Sequence, residues 1–116
     1  MTGEEAAATV RDEGWVTASW SGDVDMSNAV SLEQAALGEM LNSDKGLTVD
    51  LELVTYIDSA GIRSLLNMRR LLEDRQQRLL LVLPSGSVLR KALEIGGVLA
   101  VIPGFPTVES ARNHRV

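Results

Sequence analysis

The chain has 116 residues, 45% of them hydrophobic, and a formal net charge of −5 at pH 7. This size predicts one compact domain over residues 1–116, with about 5–112 ordered between short mobile ends. The absence of Cys excludes thiol catalysis and Cys-ligated metals, and the acidic balance argues against nucleic-acid binding. Residues 1–5 lack signal-peptide features and no segment approaches the roughly 20 apolar residues of a membrane span, so we expect a cytoplasmic protein without membrane insertion.

The first half of the chain predicts a hairpin followed by a helix. Residues 7–11 form an edge strand, residues 12–14 supply the turn, and a second strand alternates apolar and polar residues around Val16, Ala18 and Trp20. The two Trp residues of this strand, Trp15 and Trp20, are interpreted as packing residues or as its edge. Ser27 is typical of an N-cap, and the helix that follows presents an apolar face that includes Val30, Leu37, Met40 and Leu41.

The second half predicts alternating strands and helices. Strand 47–53 leads to helix 59–76, strand 79–83 leads to helix 87–95, a last short strand covers 98–102, and Thr107 caps a brief terminal helix. This order indicates an α/β domain with a mixed, mostly parallel sheet of about five strands. Strand 47–53 is apolar on one side only, whereas 79–83 is apolar throughout. We therefore expect helices mainly on one face of the sheet and partial cover on the other.

A short polar motif stands where the strand at 47–53 passes into the next helix. After the bridge 54–57 come Asp58 and Ser59, at the start of a helix-period apolar face. Both residue types are preferred N-caps, so the motif is explained by capping alone. The same position favours phosphate, because backbone N–H groups and the positive end of the helix dipole meet there. The residues themselves leave these two interpretations open.

Three short motifs occur in the same order and at the same spacing as in a known domain family. Residues 56–62 read Tyr-Ile-Asp-Ser-Ala-Gly-Ile, residues 22–25 read Gly-Asp-Val-Asp, and Gly96-Gly97 follows the strand and helix at 79–95. The chain resembles the STAS domain of anti-sigma factor antagonists over nearly its whole length. One departure is Asp23, which stands where the family commonly has glutamate and which has a shorter acidic side chain.

The resemblance implies a non-enzymatic switch in protein–protein binding. The unphosphorylated domain would bind a serine kinase anti-sigma factor and so release a sigma factor, the kinase would phosphorylate Ser59, and a phosphatase would reverse this. The partner-binding residues would be Asp23, Asp25, Asp58, Ser59, Ala60, Gly61 and Arg63. Asp23 and Asp25 are expected near Ser59, because loops at the same strand ends share one edge of the sheet. Gly61 is expected to resist substitution if a partner's backbone approaches it closely; otherwise it merely weakens the helix, and Ala would improve it. Some STAS domains instead serve lipid-transport ABC systems as accessory subunits, or bind small ligands, and this alternative stays open.

Other site chemistry has little support in the sequence. A Ser-His-Asp hydrolase needs a base, and the one His, His114, lies two residues from the C-terminus. The Asp-x-x-Gly pattern of Asp58–Gly61 has no Walker A loop to accompany it. Asp23 and Asp25 form a carboxylate pair that would suit a turn or a recognition surface, and a cation site would need more oxygen ligands. We predict no catalytic residue, no metal and no cofactor.

Overall fold

A five-stranded mixed sheet forms the centre of the fold, which we describe from a computed structural model over residues 7–115. The strands lie side by side in chain order, as β1 (Ala7–Asp12), β2 (Trp15–Val24), β3 (Gly46–Ile57), β4 (Arg78–Val82) and β5 (Gly104–Phe105). β1 runs antiparallel to β2, and the later neighbouring pairs are parallel. The helices are α1 (Ala29–Gly38), α2 (Ser59–Asp74), α3 (Val88–Ile95) and α4 (Val108–Asn113). The predicted class and sheet are confirmed, and the mobile ends proposed from the sequence lie largely outside the described residues.

The two faces of the sheet are covered unequally. The main core lies on the face that α1, α2 and α3 cover, and β4 contributes Leu79 and Leu81 to it. The alternate residues of β4, Leu80 and Val82, point to the opposite face and pack with Trp15 and α4. A strand buried on both sides is apolar throughout, which explains the continuous run. The expected arrangement, with helices mainly on one face, is therefore confirmed.

The predicted hairpin and terminal helix are also confirmed. Glu13 (φ 52°) and Gly14 (φ 81°) both adopt the left-handed conformation that a two-residue hairpin turn requires. Trp20 is buried in the main core and Trp15 on the other face, so both are packing residues. Thr107 caps α4 through a hydrogen bond from the backbone N–H of Ser110 to its hydroxyl (3.0 Å).

The predicted strand at 98–102 is wrong. Val98–Ala100 forms a short 3-10 helix after Gly97 (φ 80°), and the last strand is Gly104–Phe105. The backbone N–H of Ile102 donates to the carbonyl of Val98 (2.8 Å), so these two buried side chains lie one helical turn apart. Apolar residues spaced by four suit a turn as well as a short strand, and the left-handed Gly97 selects the turn.

The start of α1 and its buried face also differ from the prediction. The N-cap is Asn28 instead of Ser27, and no side chain caps the helix. Because the helix begins at Ala29, the inward positions are Ala29, Leu32 and Ala36, while Val30 and Leu41 are exposed and Leu37 and Met40 are half-buried. Two of these three inward residues are alanines, so the pattern of large apolar residues in the sequence does not reveal the buried face of α1.

Two boundaries shift near the middle of the chain. β3 continues to Ile57, so the bridge 54–57 is part of the strand. α2 ends at Asp74, two residues earlier than expected, because Gln76 is left-handed (φ 61°) and the N–H of Gln77 donates back to the carbonyl of Leu72 (2.8 Å). α3 begins after its N-cap Ser87, whose hydroxyl accepts from the backbone N–H of Arg90 (3.0 Å).

Candidate functional site

The carboxyl ends of β2 and β3 bring the predicted acidic residues together. Asp23 pairs with Tyr56 and Val24 pairs with Ile57 in the parallel ladder. The backbone N–H of Asp58 then donates to the carbonyl of Val24 (3.1 Å). Asp23 and Asp25 flank that carbonyl in the chain, so the loop after β2 lies beside the start of α2. The expectation that these loops share one edge of the sheet is confirmed.

Asp58 is the N-cap of α2. Its backbone is extended, and its Oδ1 accepts hydrogen bonds from the backbone N–H groups of Ala60 (2.8 Å) and Gly61 (3.1 Å). Ser59 is therefore the first helical residue rather than the cap, and it is exposed. Its hydroxyl makes no hydrogen bond to any residue in the range 7–115. Capping accounts for Asp58, but it leaves the hydroxyl of Ser59 available to a partner.

Gly61 lets α2 approach the strand ends closely. A Cβ at this position would lie 2.5 Å from Cγ1 of Ile57 and 3.0 Å from Cγ1 of Val24. Gly61 is itself buried, so the close approach that the sequence predicted for a partner is found inside the domain. Of its neighbours, Ala60 is half-buried and Arg63 is exposed.

The loop that follows β2 is held by short-range polar contacts. Asp25 accepts hydrogen bonds from the hydroxyl of Ser27 and from its backbone N–H (2.9 Å), and these bonds lower the pKa of Asp25. The side chain of Asn28 accepts from the N–H of Asp25 (3.0 Å) and donates to the carbonyl of Asp23 (2.8 Å). Turn chemistry thus explains Asp25.

Asp23 has a different environment. Its Oδ1 accepts from the hydroxyl of Thr55 on the neighbouring strand (3.1 Å), and the residue is otherwise exposed. No cluster of three or more His, Asp or Glu side chains that could hold a metal occurs in residues 7–115. Asp23 and Asp25 at the end of β2 and Asp58 at the start of α2 thus place three carboxylates at the same edge of the sheet as Ser59.

Exposed apolar side chains adjoin these acids, and the sequence did not single them out. Met26 follows Asp25 and is 82% exposed, and Tyr56, the ladder partner of Asp23, is 53% exposed. Leu53 is 70% exposed although strict alternation places it on the buried side. Two irregularities in the β2–β3 register each insert one extra residue into β3, and each reverses the alternation. The apolar pattern of the sequence alone gives no indication that the side-chain alternation of β3 reverses.

In the described part of the chain, no helix has the length and apolar character needed to cross a membrane.

A family model described as the STAS domain matches residues 6–111. A protein of Bordetella bronchiseptica, the putative anti-sigma factor antagonist BtrV, is 30% identical over 99 residues, which cover 85% of this chain and 84% of that protein.

Solved structures agree with these sequence relationships. An anti-sigma factor antagonist from Mycobacterium paratuberculosis superposes with a TM-score of 0.81 at 25% identity, over 93% of this chain and 91% of that one. The Bacillus cell fate determinant SpoIIAA, solved in its phosphorylated form, superposes with a TM-score of 0.68 over 94% of this chain and 98% of that one. Its identity of 20% shows a shared fold. The chain therefore belongs to the STAS domain family, and its relatives include anti-sigma factor antagonists.

Proposed function

We propose that this protein is an anti-sigma factor antagonist whose binding is switched by phosphorylation of Ser59. In its unphosphorylated form it binds a serine kinase anti-sigma factor and so releases a sigma factor. The kinase phosphorylates Ser59, and a phosphatase restores the binding form. The protein acts by association and has no catalytic step of its own.

The exposure of Ser59 at the first position of α2 carries this proposal. Two other serines near the motif are less available as acceptors. Ser64 lies a turn further into α2 and is 4% exposed, and the hydroxyl of Ser87 is occupied in capping α3. A kinase that reaches this edge of the sheet meets the hydroxyl of Ser59 first.

The surrounding charge supplies the switch. Phosphorylation adds about −1.5 to −2 charges at neutral pH. Asp58 adjoins Ser59, and Asp23 and Asp25 lie at the end of the neighbouring strand. Because the amides of Ala60 and Gly61 already bind Asp58, a phosphate on Ser59 would not have these helix N-terminal donors for itself. The added charge would instead increase an existing negative potential at the contact surface.

The same edge has the composition of a docking surface. Met26, Leu53 and Tyr56 expose apolar area next to the acids, and Arg63 adds one cation a turn into α2. Aromatic and Met side chains are enriched in protein interfaces. We propose that the partner covers these side chains together with the predicted contact residues Asp23, Asp25, Asp58, Ser59, Ala60, Gly61 and Arg63. Buried Gly61 would take part mainly by setting the position of α2.

The direct test is phosphorylation by a candidate partner kinase. The protein is incubated with the kinase and ATP, its intact mass is measured, and the modified peptide is sequenced. One added phosphate on Ser59 is expected, and Ser59→Ala should remain unmodified. If phosphate is found on another residue and Ser59→Ala is still fully modified, the assignment of Ser59 is wrong.

A binding measurement separates the switch from the alternative of a permanent accessory subunit or ligand-binding domain. In the switch, Ser59→Ala binds the kinase and the phosphorylated protein does not. A permanent subunit would bind its partner equally well in both forms. Equal affinities for the phosphorylated and unphosphorylated proteins would therefore contradict the proposal.

A further inference from the structure

The end of the sheet opposite Ser59 carries a cluster of basic side chains around a cavity of about 300 Å³. Ser59 follows the end of β3, whereas Lys45 precedes its start, so a strand of 12 residues separates the two regions. The residues that line the cavity come from the β1–β2 turn, the start of β3 and the end of α4, namely Glu13, Trp15, Lys45, Arg112 and Arg115.

Arg115 is the most buried cation of this cavity. Its side chain is only 9% exposed. Its Nη1 donates to Asp12 (3.2 Å), its Nη2 donates to the hydroxyl of Thr17 (3.3 Å), and its guanidinium lies 5.1 Å from the centre of the Trp15 ring. Its Nε is buried and has no hydrogen-bond partner in residues 7–115. A buried guanidinium with an unused donor and one shared carboxylate is incompletely compensated.

The nearby carboxylates do not balance the cations. Asp12 also faces Arg112 (3.5 Å), so one carboxylate serves two arginines. Lys45 has no ion pair in the described part of the chain. Three cations, Lys45, Arg112 and Arg115, thus face two carboxylates, those of Glu13 and Asp12, in a chain whose net charge is −5. A cleft with an excess of positive charge raises the local concentration of anions.

We infer that this cavity binds a small anion that carries a phosphate group. A phosphate offers three strong acceptor oxygens, which match the planar fork of Arg112 and the ammonium of Lys45. Arg115, whose Nη atoms already donate to Asp12 and Thr17, adds its positive charge to the site. Arg78 lies beside the same Trp15 ring (5.8 Å) and extends the positive region. The site is separate from the acidic edge around Ser59, so it does not depend on the proposed switch. Free phosphate and a phosphate ester share this chemistry, and the size of the cavity leaves room for a short organic group.

The test is a titration of the whole protein with inorganic phosphate, and separately with glycerol 3-phosphate, at constant ionic strength. Binding is followed by two-dimensional ¹H–¹⁵N NMR. Saturable shifts are expected at the Trp15 indole N–H and at the amides of Gly14, Lys45 and Gly46, while Ser59 and its neighbours stay unchanged. Tighter binding of glycerol 3-phosphate would identify the ligand as an ester, and tighter binding of inorganic phosphate would identify it as the free ion.

Matched substitutions locate the site. Lys45→Gln and Arg112→Gln remove exposed cations and should each weaken binding about tenfold, since one charged hydrogen bond is lost. Lys91→Gln removes one exposed cation from α3 and should have no effect. Shifts that rise linearly without saturation, or equal affinities for Lys45→Gln and Lys91→Gln, would overturn the assignment. A poly-glutamate peptide serves as a further probe. If it shifts these resonances and phosphate does not, the face is a docking surface for an acidic protein segment and the assignment is wrong.

Discussion

At the scale of single residues, Gly61 fixes the distance between α2 and the ends of β2 and β3. The sequence left two explanations for this glycine, a partner's close approach or a mere weak point in the helix. The contacts of a Cβ with Ile57 and Val24 show a third, which is packing within the domain. Asp58 and Ser59 lie just before Gly61 in the chain, so a side chain at position 61 that pushed α2 away from the strands would also displace the candidate site.

We expect Gly61→Ala to lower the free energy of unfolding by about 1–3 kcal/mol, the usual cost of overpacking a core. Helix propensity opposes this by less than about 1 kcal/mol. The loss is measured by urea unfolding. Gly38→Ala is the matched control, because Gly38 lies in α1 with no atom within 4 Å of an added Cβ, and it should be neutral or stabilising. An equal gain in stability for both variants would contradict the packing role.

At the scale of elements, Asp58 joins two functions in one carboxylate, since it caps α2 and contributes charge beside Ser59. Asn is as good an N-cap as Asp but carries no charge. The two functions can therefore be separated by substitution.

Asp58→Ala should destabilise the protein by about 1 kcal/mol, while Asp58→Asn should melt within error of the unsubstituted protein. Partner affinity should change in both variants if the charge of Asp58 contributes to recognition. Thermal melting and binding are measured on the same preparations. A loss of stability in Asp58→Asn as large as in Asp58→Ala would show that the charge, and not the cap, matters for folding.

The loop between α1 and β3 is tied to β1 by another carboxylate. Asp44 is buried, and its side chain accepts from the guanidinium of Arg11 and from the N–H of Leu41 (2.7 Å). The hydrogen bond from Arg11 is the main cause that lowers the pKa of Asp44, and burial opposes it. Gln77 donates to the carbonyl of Asp44 (2.9 Å), so this loop also meets the start of β4.

We expect Asp44→Asn to lower the free energy of unfolding by about 1–2 kcal/mol at pH 7, because a charged hydrogen bond is weakened. A lowered folded-state pKa gives stability that is complete above the unfolded-state value of about 3.9 and is lost as the pH falls through the folded-state value. The difference between the two proteins should thus shrink below about pH 4. Asp74→Asn, an exposed change at the end of α2, serves as control. A difference that persists undiminished in acid would contradict this account.

The elements differ in how far the sequence determined them. The Asp58 cap, the Glu13-Gly14 turn and the one-sided cover of the sheet followed from local patterns that the structure keeps. The end of β3 did not, because each of two extra residues reverses its alternation, and the first of them exposes Leu53. Such insertions are fixed by pairing with β2, which no local pattern records.

At the scale of the whole molecule, acidic and basic groups lie at opposite ends of the sheet. The acids adjoin Ser59, and Lys45, Arg112 and Arg115 line the cavity at the other end. The chain order of the motifs indicated the acidic edge, since parallel strands end together. The basic end was not predicted, because Arg115 and Trp15 are far apart in sequence and only the fold brings them together.

The proposed switch should act on binding and leave folding intact. A negative group at Ser59 is favoured by the dipole of α2 by about 0.3–1 kcal/mol and is opposed by Asp58, so the two effects largely cancel. We expect Ser59→Asp to melt within about 4–8 °C of the unsubstituted protein. Its affinity for the kinase should fall at least tenfold, since like charges in a desolvated interface cost several kcal/mol.

Ser59→Ala should keep both the melting curve and the affinity. Ser43→Asp, an exposed change in the loop before β3, controls for added charge and should bind normally. Melting and affinity are measured side by side for all four proteins. A Ser59→Asp protein that unfolds far earlier, in proportion to its lost binding, would indicate a folding switch instead.

The length of β3 has a consequence for the motion of the site. β4 pairs only with residues Gly46–Asp50, so among the described strands β2 alone supports residues 51–57, and it does so through an irregular register. Segments held by few neighbours open at lower free energy than the core. The amides of residues 52–57 should therefore exchange with deuterium sooner than those of residues 47–50. A partner that binds at this edge should restrict the opening of the strand that leads to Ser59, and we expect slower amide exchange in that half of β3 in the complex.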